Sequence, residues 1–109
     1  LLSFTDDAVR DIKIKAIDSL ELPYYMRFLA LDKPGVLSKI SGVLGNHNIS
    51  ILSVIQKDRK TGGAVPLVIV THNALEKELR AAVTEIETLD IILEKTVYIR
   101  IEENLGAAN

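Results

Sequence analysis

The sequence predicts an α+β fold in which the elements run strand, helix, strand, strand, helix, strand. Three observations carry this expectation. Two segments repeat apolar residues at helical spacing, two β-branched runs flank a polar stretch containing Gly62 and Gly63, and the last patterned segment alternates with a period of two.

Residues 1–23 are weakly patterned, with Ile12, Ile14, Asp18 and Glu21 ahead of Pro23, and read as a connecting arm. The chain begins with Leu1 rather than methionine and opens in mid-pattern, so it reads as a piece of a longer protein joined through that arm. Tyr24 to Leu31 are aromatic and apolar apart from Arg27, and they stop at Asp32-Lys33-Pro34-Gly35, a strong turn signal. This is the first strand and its loop. Val36, Leu37, Ile40, Val43 and Leu44 then recur on one helical face, with Ser38, Lys39 and Ser41 opposite, until Gly45 and Asn46 supply a stop.

Ile49 to Lys57 and Ala64 to His72 read as a hairpin closed by Asp58 to Gly63. Pro66 has no N–H to give to a ladder, which places it near the start of its strand or at a bulge. Asn73 and Glu76 have the spacing of a capping box for a second helix. Leu75, Leu79, Ala82, Val83 and Ile86 line its apolar face, and Glu76, Lys77, Glu78, Arg80, Glu85 and Glu87 its charged one. Thr96 to Glu102 is the last strand, with Val97, Ile99 and Ile101 on one face and Tyr98 and Arg100 on the other. Residues 24–103 thus form the domain, and residues 104–109 read as a frayed tail. This order is the split βαβ arrangement called ferredoxin-like, in which right-handed crossovers put both helices on one face of a four-stranded antiparallel sheet.

One layer of helices leaves the other sheet face open, yet the first strand is apolar on both sides: Tyr25, Leu29 and Leu31 on one, Met26, Phe28 and Ala30 on the other. Leu52, Val54, Val68 and Val70 share that character, so the sheet is expected to pack against a second copy or a neighbouring domain.

Composition narrows the function. A formal charge of -2 offers no excess positive potential for nucleic acid or an anionic membrane, and the absence of cysteine removes disulfides and thiolate sites. No apolar run approaches the roughly 20 residues of a membrane span, and a basic-then-apolar leader is lacking, so a soluble cytoplasmic chain is expected. His47 and His72 have no metal-ligand spacing, and the six glycines form no phosphate-binding loop. Asn48-Ile49-Ser50 matches a glycosylation acceptor only by coincidence, given its place in a buried strand. No catalytic constellation, metal or cofactor is expected in this segment.

Binding chemistry is concentrated at Asp32-Lys33-Pro34-Gly35-Val36-Leu37, where the chain turns from strand into helix. A helix start presents unpaired amide N–H groups and about half a positive charge, which suits a carboxylate. Gly35 allows close approach, and Asp32 has the chemistry to accept from an ammonium group. Asp32 is equally suited to capping the helix, with Pro34-Gly35 merely shaping the turn; the residues alone do not choose between these readings.

Together with Tyr24-Tyr25-Met26-Arg27-Phe28 and Asn48-Ile49-Ser50-Ile51, this junction resembles the ACT domain family. Within it, Ser53-Val54-Ile55-Gln56-Lys57, Gly62-Gly63-Ala64-Val65-Pro66, Val70-Thr71-His72 and Ile99-Arg100-Ile101 are similar to the C-terminal ACT domains of bacterial homoserine dehydrogenases. The resemblance implies pairing of ACT domains through their sheets or helices, with an amino acid, threonine first, held between the strand–helix loop of one copy and a strand of the other. It assigns Asp32, Gly35, Val36 and Leu37 to the loop, Asn48 and Ile49 to the facing strand, and Gln56 to a side chain that touches the effector. It also implies a parent enzyme that uses NAD(P), with its chemistry outside this segment. Other activities on this scaffold lack their signatures: there is no arginine in a glycine-rich cradle for an acylphosphatase, no thiol pair for a metal chaperone, and no stacking platform for RNA. A pairing domain without an effector is the alternative function.

Overall fold

The computed structural model describes residues 6–57 and 63–102. In chain order the elements are α1 (Asp6–Asp18), β1 (Glu21–Leu22), β2 (Tyr24–Leu31), α2 (Val36–Asn46), β3 (Ile51–Gln56), β4 (Ala64–Thr71), β5 (Ala74–Leu75), α3 (Glu76–Glu87) and β6 (Val97–Arg100). A four-stranded antiparallel sheet has the spatial order β3, β4, β2, β6, and β1 pairs separately with β5. The expected order is present as β2, α2, β3, β4, α3 and β6, an α+β ferredoxin-like fold.

Strand alternation decides which face is covered. Tyr24, Met26, Phe28 and Ala30 of β2 are fully buried, while Arg27 between them is exposed. They meet Leu67 and Ile69 of β4, Val36, Ile40, Val43 and Leu44 of α2, and Leu79, Ala82, Val83 and Ile86 of α3. Both helices therefore lie on one face, and each large side chain they bury there contributes about 1.5–3 kcal/mol. On the other face the register sets Ile55, Val68, Arg27 and Val97 in one row across the sheet and Ser53, Val70, Tyr25 and Ile99 in the next. The apolar set of the last strand belongs to this open side, with Val97 52% and Ile99 57% exposed. Tyr98 turns inward instead, its ring edge-on to that of Tyr24 with centroids 6.5 Å apart.

Four local expectations are corrected. Within the stretch read as a weakly patterned arm, residues 6–18 form α1, which packs on α3 and whose Asp18 pairs with Arg80. Its apolar residues Val9, Ile12 and Ile17 remain 38–57% exposed, so these three form no buried stripe. The capping box is not formed: Asn73 is followed by β5, and Leu75 occupies the N-cap with no side-chain bond. Glu76, assigned to the charged face, is 3% exposed, and Leu75, assigned to the apolar face, is 38% exposed. The reason is pairing with the segment around β1: Glu21 and Leu22 pair with Leu75 and Ala74, and the Glu76 N–H donates to Leu20 O at 3.0 Å, which does the work of a cap. Gly45 lies inside α2 rather than stopping it. The reversal is made by Asn48 at φ 59, with Ile49 N–H reaching back to Leu44 O at 2.9 Å, a Schellman arrangement with asparagine in the left-handed position.

Pro66 is the third residue of an interior strand and opposes Leu29 in full register. Its carbonyl accepts from Lys57 N–H at 2.9 Å, so its main-chain groups face β3 at the loop end of the hairpin, and the β2 ladder needs nothing from its nitrogen. The hairpin loop is described only at Gly63, a turn residue at φ 79. Residues 58–62, with Gly62, and the tail 104–109 lie outside the described residues.

Candidate effector site

The chain leaves β2 at Leu31, whose N–H donates to Ile91 O at 2.8 Å, and Asp32 N–H donates to Gly63 O at 2.7 Å. The strand end of the loop is thereby pinned twice before it turns. Gly35 is the N-cap of α2 at φ 86, a left-handed conformation that glycine adopts without penalty, and with no side chain it leaves the first turn uncapped. The first intrahelical bond is Lys39 N–H to Gly35 O at 3.1 Å. The amides of Val36, Leu37 and Ser38 precede it and are the orphan donors of a helix start.

A cleft of about 150 Å³ opens against this turn, lined by Leu31, Asp32, Lys33, Gly35, Val36, Leu37 and Ser38 on one side and Gln56, Val65 and Leu67 on the other. A space of roughly that volume admits a molecule of about benzene's size. The helix end contributes partial positive charge, Asp32 a carboxyl group, Gln56 an amide that both donates and accepts, and Val65 and Leu67 an apolar wall. A small zwitterion with a short side chain fits that chemistry.

Of the residues singled out from sequence, Asp32, Gly35, Val36, Leu37 and Gln56 come together around this cleft. Asn48 and Ile49 do not. They follow the far end of α2, an 11-residue helix of about 16 Å. Asn48 is exposed there as the helix stop, and Ile49 is 3% exposed in the core, so its side chain is committed to packing. Lys33, within the junction singled out from sequence but given no role there, and Ser38, which lies beyond it, also line the cleft; counting orphan amides past the glycine would have reached Ser38.

Two charged clusters brace the helices behind the site. His47, just after α2, lies with Nδ1 3.1 Å from Glu78 Oε1 and Nε2 3.2 Å from Glu85 Oε1, both on α3. Those hydrogen bonds, Glu78's first, raise the His47 pKa above its ordinary value, and the desolvation that opposes them is smaller. At the start of α3, Arg100 Nη2 donates to Glu76 Oε1 at 3.0 Å, which raises the Arg100 pKa. Among the described residues no group of three or more His, Cys, Asp or Glu side chains is placed to hold a metal ion, and no helix is long and apolar enough to cross a membrane.

The fold and this loop define a small α+β module with a cleft at a helix start, and residues 24–90 match the ACT domain family, to which the chain belongs. Over 103 residues the chain is 36% identical to the homoserine dehydrogenase of Pseudomonas aeruginosa, covering 94% of this chain and 24% of that protein. It thus spans about a quarter of the length of the curated relatives it matches. The crystal structure of a homoserine dehydrogenase from Thiobacillus denitrificans superposes with a TM-score of 0.72 at 36% identity, over 80% of this chain and 19% of that one. The ACT domain from GTP pyrophosphokinase of Chlorobium tepidum shares the fold alone, with a TM-score of 0.56 at 14% identity over 74% of this chain and 99% of that domain.

Proposed function

We propose that this domain is the amino-acid-sensing regulatory part of a homoserine dehydrogenase and that threonine is its effector. The observation that carries the reading is the cleft at the start of α2, where orphan amides, Asp32 and Gln56 converge on a space of about 150 Å³. The effector's carboxylate lies on the amides of Val36, Leu37 and Ser38, its ammonium on Asp32, and its hydroxyl on Gln56. A second copy completes the site, bringing its Asn48 and the main chain of Ile49. The parent enzyme interconverts aspartate semialdehyde and homoserine with NAD(P) in the cytoplasm, using residues outside this segment.

Regulation requires only that threonine bind one arrangement of domains better than another. A coupling of roughly 1–3 kcal/mol gives a several-fold to hundred-fold response. The test is thermal melting of the chain against a panel of amino acids. Threonine at a hundred times its dissociation constant should stabilise the fold by about 2.7 kcal/mol, and Asp32→Ala should remove most of that rise. If no amino acid moves the midpoint, the domain pairs without an effector and the sensing role is wrong.

A further inference from the structure

Helix α1 carries an apolar stripe that is left open to water. Val9, Ile12 and Ala16 recur at intervals of three and four, and Leu20 follows four residues later, which is the spacing of a packed helix face. Yet Val9 is 39%, Ile12 57% and Leu20 39% exposed, and Ala16 is exposed with them. Asp18, which pairs with Arg80 of α3, stands about two and a half turns from Val9 and so on the opposite side of the helix. The domain thus holds α1 by its polar side, and the pairing of β1 with β5 fastens the chain that follows. A helix of 13 residues is marginal in water without an apolar face to pack.

α1 lies outside residues 24–90, which match the ACT family, but inside the longer match to the Pseudomonas aeruginosa homoserine dehydrogenase. That match takes in 103 of the 109 residues, and the six left over are too few to omit a 13-residue helix that starts at Asp6. The helix is therefore something this chain shares with the longer enzymes and no part of the general ACT module. About three quarters of each such enzyme lies outside the match.

We propose that the stripe formed by Val9, Ile12, Ala16 and Leu20 is the docking face for the catalytic region of the parent enzyme, which packs an apolar surface on it. Covering these side chains removes apolar area from water without burying the charge of Asp18, which stays on the side of α3. The cleft, Asn48 and Ile49 all lie outside α1, so the copy that completes the effector site has no need of this stripe. The inference rests on the reading that the parent is a homoserine dehydrogenase, and it is independent of threonine as the effector.

Hydrogen exchange followed by mass spectrometry on the full-length parent enzyme tests it, with the 109-residue chain as reference. Peptides from α1 should exchange at least about tenfold more slowly in the enzyme than in the chain. Ile12→Lys should abolish that difference, together with the protection of a matching segment in the catalytic region. Ile12→Ala, which keeps the helix, should act in the same direction by a smaller amount. Because Ile12 is 57% exposed within the chain, neither substitution should move the melting midpoint of the 109-residue chain appreciably. Equal exchange of α1 in enzyme and chain would overturn the docking, as would protection that survives Ile12→Lys. Protection that appears in the isolated chain as its concentration rises would also overturn it, by making a second copy the occupant. These readouts need neither threonine nor turnover, so a parent with another activity would refute the proposed function while exchange still decides this contact.

Discussion

Two glycines of the same helical region give a matched pair of substitutions with opposite expected signs. Gly35 has φ 86, whereas Gly42 lies inside α2, and a Cβ added at either would meet nothing within 4 Å. Neither substitution to alanine creates a clash, so the whole effect is conformational. At Gly35 a left-handed residue with a Cβ costs about 1–2 kcal/mol, partly offset by about 0.4–1 kcal/mol from the stiffer unfolded chain. The net is a loss of about 1 kcal/mol. At Gly42 the helical backbone suits alanine, which should gain about 0.5–1 kcal/mol. The two variants should therefore differ by about 1.5–2 kcal/mol, a separation in midpoint on the order of 10 °C for a domain of this size. Urea denaturation followed by circular dichroism, at one protein concentration because association adds stability, measures both. A Gly35→Ala variant as stable as the wild type would mean that the left-handed turn opening the effector loop is wrong, and with it the placement of the orphan amides.

Other expectations concern the charged braces. His47 has a raised folded pKa, so its stabilisation is fully present below the unfolded value of about 6.5 and is lost as pH rises through the folded one. The stability gap between wild type and His47→Gln should be wider at about pH 5.5 than at about pH 8.5, and a gap independent of pH would contradict the clamp. Arg100→Ala strips a partner from Glu76, whose side chain is 4% exposed, and should cost about 1–3 kcal/mol in urea denaturation. Glu76→Gln should cost less, because Arg100 is 38% exposed and water can replace its partner; the reverse order would show that the pair is not held by burial of the acid. Asp32→Ala should remove most of the threonine-induced rise measured from the variant's own basal melting point, and a variant that keeps the response would acquit Asp32 of binding.

The main sheet and both covering helices were legible because their signals are local: β2 matches its expected limits, and α2 follows from a five-residue apolar stripe. The loop was legible for the same reason, since Asp32 to Leu37 are contiguous and Gln56 follows on the neighbouring hairpin. The misses share a different cause. Glu76 is buried where Arg100, 24 residues later, reaches it and where Leu20, just before β1 and more than 50 residues earlier, occupies its main chain. Neither contact leaves a trace in helical spacing. The inward turn of Tyr98 is likewise set by its register opposite Met26, a core residue, which forces the more apolar Val97 and Ile99 outward. Alternation reveals that a strand has two faces without revealing which one the helices cover.

The two ends of α2 carry opposite partial charges, and the chain uses both. Its N-terminal amides border the candidate cleft, where an anionic carboxylate would be favoured, and His47 follows its C-terminus, where a protonated imidazole is favoured and also meets Glu78 and Glu85 of α3. A ligand that loads the first end and a proton that loads the second therefore stabilise the same helix in the same orientation against α3. If both act on one element, the threonine-induced rise in melting temperature and the His47 contribution should be partly shared. The rise measured for His47→Gln should then differ from that of the wild type at about pH 5.5 and converge with it at about pH 8.5. Equal rises at both values would mean that cleft and clamp are energetically independent, as expected for sites more than about 10 Å apart with no common partner.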